Sequence, residues 1–324
     1  MKKIGVFTSG GDSPGMNAAI RAVVRTAINS GITPYGIYRG YRGMIEDEIE
    51  EMDGHSVSNI LQLGGTILRS ARSKRFRTPE GRQIAYDNLK KHGIEGVVGI
   101  GGDGTLTGAR IFMKEHPDIR FVGLPGTIDN DLVGTDYTIG YDTAINTAMR
   151  AIDKIKDTAN SFDRLFFVEV MGRDAGFIAL RVGIATGAEA VLIPESKTDI
   201  DELVHRLRKN SLKRKNSALV IVAEGDDAGG AFAIADQVKA KGFEQYEMRV
   251  SILGHIQRGG SPTCMDRMLA SRLGMEAVKA LVDGVSGVLV GKKCKDIVYT
   301  PFEKAIKDKQ KLNPLLLDIV DLLS

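Results

Sequence analysis

The stretch KKIGVFTSGGDSPGMNAAIRAVVRTAINS, residues Lys2 to Ser30, decides the fold. It opens with KKIGVFTS, a short run of β-branched and apolar side chains that is typical of a buried strand. After the glycines, apolar residues recur at helical spacing, at Ala18, Val23, Val24, Ala27 and Ile28. The stretch therefore predicts a strand, a glycine-rich turn and a helix in direct succession.

The same succession recurs along the chain. IEGVVGIGG (Ile94–Gly102) precedes the helical pattern TLTGARIFMKEH, and RFVGLPG (Arg120–Gly126) runs into the motif PGTIDND. Further buried strands are predicted in RLFFVEVMG, EAVLIPE, SALVIVAEG and RVSILGH, which start at Arg164, Glu189, Ser217 and Arg249. Repeated strand–loop–helix units indicate an α/β fold with mainly parallel sheets covered by helices. The C-terminal LNPLLLDIVDLLS predicts a helix that packs back on the body.

Length and composition indicate a protein of two domains. At 324 residues the chain exceeds the usual size of a single hydrophobic core. Hydrophobic residues make up 43% and charged residues 26%, which is typical of a globular protein with sizeable cores. We place the change of domain near Asp136–Tyr141, where the loop after PGTIDND gives way to the helical run AINTAMRAIDKI.

Charge and cysteine content argue against several classes of protein. The 44 Lys and Arg nearly balance 41 Asp and Glu, so a pI of 8.7 does not by itself indicate nucleic-acid binding. Cys264 and Cys294 form no CxxC pair, and neither a disulfide framework nor a zinc site is predicted. No window approaches the roughly 18–20 apolar residues of a membrane span, and the apolar run after Met1 is too short for a signal sequence. We expect a cytoplasmic protein.

Glycines, acids and arginines gather where the predicted strands end. The loops are SGGD, GGDGT, PGTIDND, MGRD, AEGD and GHIQRGG. In parallel sheets ligands bind outside the carboxyl ends of the strands, so these six loops predict a binding site rather than simple turns.

The loop GGDGT (Gly101–Thr105) follows a strand and opens a helix. Its glycines would let the backbone approach a phosphate, and the helix N-terminus would supply N–H donors and a positive dipole end. Asp103 would repel a phosphate unless Mg²⁺ lay between them. The competing interpretation is a tight turn capped by Asp103, and the motif alone, which also resembles NAD kinases and lipid kinases, leaves both open.

Two further segments flank this loop. TSGGDSPGMN (Thr8–Asn17) taken alone favours a strand-to-helix turn with Pro14 near the helix start. A Walker A motif is absent from the sequence, since the nearest string, GVLVGKK at Gly287, has the wrong spacing. SARSKRFR (Ser70–Arg77) is either a solvated basic face or a phosphate clamp, the latter most of all at Arg72.

A second group of loops carries arginines. MGRD and GHIQRGG each place an arginine, Arg173 and Arg258, between glycines, and the guanidinium fork suits phosphate. His255 is either a donor to the same anion or a structural histidine. Glu224 is suited to sugar hydroxyls or is a surface carboxylate. In PGTIDND, Asp129 and Asp131 are candidates for turn residues, metal ligands or a general base.

Together, the motifs resemble those of bacterial ATP-dependent 6-phosphofructokinases. They are TSGGDSPGMNAAIRAVVR, GGTILRSAR, IGGDGT, PGTIDND, VEVMGR, VAEG and LGHIQRGGSP, and they match in order from Lys3 to about Gly291. The resemblance implies two Rossmann-like domains in a homotetramer, with the active site in the cleft between the domains. It implies an ATP-binding domain of residues 1–138 plus about 258–305, and a fructose 6-phosphate-binding domain of residues 139–257 plus about 306–324.

The resemblance also implies roles for individual residues. ATP would be bound at Gly11, Tyr41, Arg72, Ser73, Arg77, Gly102, Asp103, Gly104 and Thr105, with Asp103 on Mg²⁺. The sugar phosphate would be bound at Thr127, Asp129, Asp131, Met171, Gly172, Arg173, Glu224, His255 and Arg258. Arg164 and Arg249 match arginines that reach the 6-phosphate from a neighbouring subunit.

The implied reaction is in-line transfer of the γ-phosphoryl group to the 1-hydroxyl of the sugar. Asp129 would accept the hydroxyl proton and Asp131 would support it. Arg72, Arg173, Thr127 and Mg²⁺ would stabilise the transferring group. Pyrophosphate-dependent relatives carry an acid and a lysine where this chain has Gly104 and Gly126. A small residue at each position would leave room for the α-phosphate and the nucleoside, which favours ATP. The alternatives are a pyrophosphate-dependent enzyme and a non-catalytic nucleotide-sensing relative.

The implied site for an effector, ADP or phosphoenolpyruvate, is only partly present. Its matching residues are Arg21, Arg25, Glu189, Lys213 and Lys215. Gly54 and Lys156 each stand where an arginine is common, and Asn59 replaces an aspartate. With fewer guanidinium donors at this site, we expect a weaker or different response of the enzyme to ADP or phosphoenolpyruvate. Phe177 replaces a frequent aspartate, and the sequence offers no reason for this.

Overall fold

The chain forms two compact units. The computed structural model describes residues 1–159, 161–162, 164–211 and 218–323. The first unit comprises Met1–Ile128, Leu132–Thr143 and Arg258–Gln310. The second unit comprises Asp129–Asp131, Ala144–Gln257 and Lys311–Ser324.

The strands alternate with helices over most of the chain, as the sequence predicts. The strands are β1 (Lys3–Thr8), β2 (Thr33–Ile37), β3 (Ile49–Glu51), β4 (Gly96–Gly101), β5 (Arg120–Pro125), β6 (Arg164–Val170), β7 (Ala190–Leu192), β8 (Ala218–Ala223), β9 (Glu247–Ile252), β10 (Val288–Lys293) and β11 (Asp296–Pro301). The α-helices are α1 (Met16–Asn29), α2 (Tyr41–Glu46), α3 (Pro79–His92), α4 (Asp103–Glu115), α5 (Tyr141–Ala159), α6 (Phe177–Thr186), α7 (Ile200–Ser211), α8 (Ala231–Ala240), α9 (Cys264–Val282), α10 (Phe302–Lys307) and α11 (Pro314–Leu323).

The first unit is built on a seven-stranded sheet in the order β11-β10-β5-β4-β1-β2-β3. All neighbours are parallel except the two edge pairs, β2 with β3 and β10 with β11. The register sets Thr8 beside Ile100 and Gly101 beside Pro125. The carboxyl ends of β1, β4 and β5 therefore lie side by side, and the loops that follow them share one edge of the sheet.

Both faces of this sheet are covered by apolar side chains. Val6, Val98 and Val122 pack with α1 and α9 in one buried cluster, whereas Phe7 and Phe121 pack with α3, α4 and α10 in another. Successive strand residues point to opposite faces, which accounts for this division. Gly274 of α9 allows a close helix approach, since a Cβ there would lie 2.8 Å from the carbonyl oxygen of Ala19.

The second unit contains a four-stranded parallel sheet in the order β7-β8-β6-β9. The predicted C-terminal helix is present as α11, and it packs against α6 and β7 of this unit. The α/β class predicted from the sequence is thus confirmed in both units.

None of the helices in the described part of the chain has the length and hydropathy of a membrane-spanning segment.

Candidate active site

The first glycine loop connects β1 to α1. Gly10 and Gly15 have φ angles of 89° and 108°, which glycine adopts without strain. The guanidinium group of Arg258 occupies the space that a side chain at Gly11 would fill, and its Nη1 donates to the carbonyl oxygen of Asp12 at 3.4 Å. The structure therefore places Arg258 on the loop that carries Gly11.

The GGDGT loop joins β4 to α4, and its last residue, Thr105, is hydrogen-bonded to neighbouring segments. The hydroxyl of Thr105 donates to the carbonyl oxygen of Ser9 at 3.3 Å, and the hydroxyl of Tyr41 donates to the carbonyl oxygen of Thr105 at 2.6 Å. Thr105 is buried, whereas Asp103 and Gly104 are exposed at the start of the helix. Thr105 is thus held in place by hydrogen bonds, whereas Asp103 and Gly104 are accessible to a ligand.

Tyr41 lies in the hydrophobic core rather than at the surface. Only 6% of it is exposed, and its ring stacks on Phe76 with centroids 3.9 Å apart. Burial raises the pKa of the Tyr41 hydroxyl far above its ordinary value, so the group stays a hydrogen-bond donor. Its visible task is to support the GGDGT loop from beneath.

The basic segment after Ser70 is anchored at both ends. The Ser70 hydroxyl donates to the carbonyl oxygen of Gly10 at 2.6 Å, and Phe76 is buried in a single 3-10 turn, Arg75–Arg77. The Ser73 hydroxyl accepts the Phe76 N–H at 3.2 Å. The side chains of Arg72, Lys74, Arg75 and Arg77 are exposed. Phe76 therefore holds a row of exposed cations in a fixed position within the first unit.

The two glycines used to choose the donor differ in what surrounds them. A Cβ at Gly104 would meet nothing within 4 Å. A Cβ at Gly126 would lie 2.8 Å from Cγ2 of Ile100 and 3.0 Å from Cε of Met16. Close packing therefore favours a glycine at position 126, whereas position 104 faces open space. That both glycines leave room for the nucleoside stays a prediction.

The motif PGTIDND follows β5 and is tied to the neighbouring loops. The Gly126 N–H donates to the carbonyl oxygen of Gly101 at 3.1 Å. The side chain of Thr127 lies beside Gly102, since a Cβ on that glycine would be 3.6 Å from Cβ of Thr127. Thr127 and Asp129 are each 7% exposed, and Asp131 is half-buried. Thr127 thus lies against the GGDGT loop.

The residues near Asp103 suit Mg²⁺ only in the presence of a phosphate ligand. Among the described residues there is no group of three His, Cys, Asp or Glu side chains that could hold a metal ion. A single exposed carboxylate at a helix N-terminus matches the habit of Mg²⁺, which is bound by one or two carboxylates together with substrate phosphates. Asp103 therefore fits a metal that arrives with a nucleotide.

The MGR loop follows β6 in the second unit. Gly172 and Arg173 have φ angles of 151° and 56°, and the latter is uncommon for a residue with a side chain. Oε1 of Glu224 accepts the N–H of Arg173 at 2.6 Å and that of Gly172 at 3.3 Å. Glu224 thus fixes the backbone that presents the exposed side chain of Arg173.

The GHIQR segment forms a short 3-10 helix, Gly254–Arg258. Gln257 is fully buried, and its Oε1 accepts the N–H of Met171 at 3.0 Å. His255 is exposed. The structure thereby brings GHIQR and Met171 together, with Gln257 as the link.

Arg164 and Arg249 lie on adjacent strands and share a carboxylate. Nε of Arg164 donates to Oε2 of Glu247 at 2.9 Å, and Nη2 of Arg249 donates to Oε1 of the same residue. The hydrogen bond from Arg164 lowers the pKa of Glu247, with a further contribution from the charge of Arg249. The pair is therefore held together within the second unit.

The candidate effector residues are spread over both units. Arg21 and Arg25 lie on α1, and Lys156 of α5 donates to the carbonyl oxygen of Thr186 at 2.5 Å. Glu189 is buried and accepts a hydrogen bond from Asn210. Lys213 and Lys215 lie outside the described residues.

Three residues depart from the pattern that the resemblance implies. Gly54 has open space around it, and Asn59 adopts a φ of 57°. Phe177 is buried and is the first residue of α6.

Four residues that the sequence did not single out hold candidate site residues in place: Ser70, Phe76, Glu247 and Gln257. Each acts through a residue that the motifs did identify. Glu247 stands two positions before Arg249 on a strand, which places both side chains on one face, so that pattern alone could have found it. The contacts of Phe76 and Gln257 depend on packing between distant segments, and no spacing reveals them.

The parallel sheets and the glycine-rich strand ends place the chain in the class of α/β proteins whose ligands bind at the carboxyl ends of the strands. Comparison with known proteins narrows this class. The model of the family described as "Phosphofructokinase" matches residues 3–281. The chain belongs to the phosphofructokinase family.

Similar proteins of bacterial origin match over the whole chain. "ATP-dependent 6-phosphofructokinase 2" of Bacteroides thetaiotaomicron is 58% identical, with 100% of this chain and 98% of that protein covered. "ATP-dependent 6-phosphofructokinase 1" of Thermus thermophilus is 54% identical, with both chains covered completely.

Solved structures agree on the fold. Phosphofructokinase from Saccharomyces cerevisiae superimposes with a TM-score of 0.90 at 39% identity, covering 95% of this chain and 45% of the yeast chain. This chain thus spans less than half of that longer protein. A pyrophosphate-dependent phosphofructokinase from Marinobacter aquaeolei has a TM-score of 0.83 at 22% identity, covering 97% and 86%. At that identity the likeness concerns the fold alone.

Proposed function

We propose that this protein transfers the γ-phosphoryl group of ATP to the 1-hydroxyl of fructose 6-phosphate, giving fructose 1,6-bisphosphate and ADP. The observation that carries the proposal is 58% identity over the full chain to an ATP-dependent 6-phosphofructokinase. The chain is a phosphotransferase with an alcohol group as acceptor, and it acts in glycolysis.

The open space at Gly104 supports ATP as the donor. The glycine lies exposed in the first turn of α4, and a side chain there would point into open space. An acid at this position would bring a negative charge to the donor phosphates, whereas glycine leaves room for the rest of the nucleotide. This observation favours ATP over pyrophosphate.

The donor lies on the loops of the first unit. Backbone N–H groups of the two glycine loops and the start of α4 bind its phosphates, because a helix N-terminus attracts anions. Arg72 and Arg77 contribute positive charge from the rim, where their side chains are exposed. Asp103 holds Mg²⁺, which when bound neutralises the negative charge of the donor phosphates.

The acceptor lies on the MGR and GHIQR loops. Glu224 accepts hydrogen bonds from sugar hydroxyls with the oxygen that does not bind the MGR loop, and His255 and Arg258 contact the phosphate end. Arg164 and Arg249 bind the 6-phosphate of the sugar held by a neighbouring subunit. The functional protein is then a homotetramer, which the molar mass in solution will test.

Asp129 is the general base. Its buried carboxylate lies two residues after Thr127, which contacts the GGDGT loop. Removing the proton from the 1-hydroxyl creates the nucleophile, a step typically worth about 10²–10⁴-fold in rate. Thr127, Arg72 and Arg173 offset the charge of the transferring phosphoryl group. Asp131 supports the base.

The protein acts in the cytoplasm, where ATP and sugar phosphates are available. Its response to ADP or phosphoenolpyruvate is weaker than, or different from, that of relatives with a complete effector site, because Gly54 and Lys156 leave this site short of guanidinium groups. The comparison of initial rates with and without each effector tests this.

An enzyme-coupled assay tests the function. Fructose 6-phosphate and Mg²⁺ are supplied with either ATP or pyrophosphate, and fructose 1,6-bisphosphate is detected by a coupling system that depends on neither donor. We expect product with ATP and a kcat/KM for pyrophosphate at least a hundredfold lower. Turnover with pyrophosphate that equals or exceeds that with ATP would contradict the assignment of ATP as the donor. No product with either donor would contradict the proposed phosphofructokinase activity.

A further inference from the structure

The two arginines assigned to the 6-phosphate already hold an anion within their own chain. Arg164 begins β6 and Glu247 begins β9, and the two residues are register partners on adjacent parallel strands. Glu247 and Arg249 are two positions apart on β9, so their side chains leave the same face of the sheet. Strand register, rather than a flexible side chain, therefore sets the three groups beside one another.

The contacts are arranged around the two oxygens of one carboxylate. Nε of Arg164 donates to Oε2 of Glu247 at 2.9 Å, while Nη2 of Arg249 donates to Oε1. Each arginine thus gives one N–H to a different oxygen of Glu247. A phosphate group would be held by guanidinium groups in the same way, through separate oxygens.

The charges of the cluster are less favourable for a sugar phosphate than those of the two arginines alone. Arg164 and Arg249 together carry two positive charges, and Glu247 reduces the sum to one. The hydrogen bond from Arg164 lowers the pKa of Glu247, which keeps the carboxylate ionised at neutral pH. A phosphate dianion bound here meets a like charge within a few ångströms, in addition to losing two donors that are already engaged.

We infer that Glu247 is an internal competitor of the 6-phosphate, which the substrate must displace from Arg164 and Arg249. This rests on the proposed function, in which the two arginines bind that phosphate. Glu247 then weakens the binding of fructose 6-phosphate and partly neutralises the arginine pair while the site is empty. It is a residue that tunes affinity for the substrate and takes no part in the transfer itself.

An ordinary surface ion pair is the competing explanation. Glu247 and Arg249 each have 49% of the side chain exposed, and such pairs contribute little to stability. β9 is also the last strand of its sheet as described, and charged side chains protect exposed edges. Neither explanation predicts that removing the charge of Glu247 tightens the binding of one substrate and not the other.

The test is the variant Glu247→Gln, assayed in the full-length enzyme with ATP and fructose 6-phosphate. We expect the KM for fructose 6-phosphate to fall roughly threefold to tenfold at low salt, because one opposing charge near the phosphate is removed. The KM for ATP should not change. The gain should shrink as ionic strength rises, since Glu247 and Arg249 are half exposed and their charges are therefore screened.

Glu244→Gln is the matched control. Glu244 is an exposed acid three residues earlier that makes no ion pair among the described residues, and its replacement should leave the KM for fructose 6-phosphate unaltered. Glu247→Asp, which keeps the charge, should restore a KM near that of the wild type. Circular dichroism and molar mass in solution verify that each variant folds and assembles as the wild type does.

Two outcomes overturn the inference. An unchanged KM in Glu247→Gln would make the cluster a simple surface ion pair, and a raised KM would mean that Glu247 orients the arginines instead of competing for them. The variant Arg249→Ala tests the proposed phosphate site independently of the inference about Glu247. If that variant leaves the KM for fructose 6-phosphate unaltered, the phosphate assignment itself fails, whatever Glu247 does.

Discussion

The hydroxyl of Tyr41 donates a 2.6 Å hydrogen bond to the backbone carbonyl of Thr105, the last residue of the GGDGT loop. Tyr41 is buried and stacked on Phe76, so this bond ties the loop to the hydrophobic core. The loop that is proposed to receive the donor phosphates is therefore supported by a side chain whose hydroxyl points away from solvent.

The Tyr41→Phe variant removes only that hydrogen bond. We expect the free energy of unfolding to fall by about 1 kcal/mol, because a buried carbonyl loses a donor while the ring stays in place. The KM for ATP should rise a few-fold, and the KM for fructose 6-phosphate should not. Urea unfolding and initial rates measure both effects, and a rise confined to the sugar phosphate would show that the loop does not bind the donor.

Gly104 and Gly126 should respond to substitution in opposite ways. Gly104→Asp adds a side chain in open space, so stability should hold, while repulsion of the donor phosphates lowers kcat/KM for ATP by at least roughly tenfold. The measurement is kcat/KM with ATP and with pyrophosphate, alongside the unfolding midpoint.

Gly126→Ala is the matched substitution in the core. Its methyl group would meet Ile100 and Met16, and we expect a loss of about 1–3 kcal/mol in stability from overpacking. A stable Gly126→Ala variant with altered donor preference would contradict the packing requirement and support the prediction that this glycine makes room for the nucleoside.

Glu224→Gln should weaken the sugar-phosphate site through the MGR loop. The carboxylate accepts the N–H groups of Gly172 and Arg173, and a hydrogen bond to a charged acceptor is roughly twice as strong as one to a neutral amide. We expect the KM for fructose 6-phosphate to rise roughly tenfold while that for ATP stays constant. Equal rises in both would indicate a general loosening of the enzyme instead.

Asp266 should make stability depend on pH in an unusual direction. Its carboxylate accepts the N–H groups of Gly140 and Thr143 at 2.8 Å each, and burial raises its pKa from 3.8 to about 6. The folded protein therefore binds more protons than the unfolded chain between these values. Ionising this group costs about 3 kcal/mol of stability, lost as pH rises from about 4 to 6.

The variant Asp266→Asn lacks this titration. The stability of the wild type relative to the variant should therefore decrease between pH 4 and pH 6 and level off above that range. Urea unfolding midpoints at several pH values provide the comparison. A relative stability that increases over the same range would mean that the carboxylate is stabilised in its charged form.

Much of the fold is predictable from short segments. Apolar runs such as Lys2–Ser9 and Ile94–Gly102 end in glycines, and this local pattern is sufficient to predict β1, β4 and the loops after them. The parallel arrangement follows because each run is succeeded by a helix. Strands β2, β3, β10 and β11 are not among the predicted strands, because β3 has only three residues and neither antiparallel pairing, β2 with β3 or β10 with β11, has a strong local signal.

The candidate site was predictable in its loops but not in its supports. The surroundings of Gly126 could not be predicted, because its proximity to Ile100 and Met16 is set by the packing of β4, β5 and α1. The hydrogen bond between Glu247 and Arg164 could not be predicted either, since it depends on the register between strands far apart in the chain. Sequence patterns identify functional residues within motifs, whereas contacts between distant segments become known only from the folded structure.

The measurement that tests the account most directly is the pair of kcat and fructose 6-phosphate affinity in Asp129→Ser. With Asp129 as general base, kcat with ATP should fall roughly 10²–10⁴-fold. Because Asp129 contacts a single hydroxyl among many groups that bind the sugar phosphate, the affinity for fructose 6-phosphate, measured by equilibrium binding, should stay within a few-fold. A variant that keeps its kcat would contradict the account and place the base elsewhere.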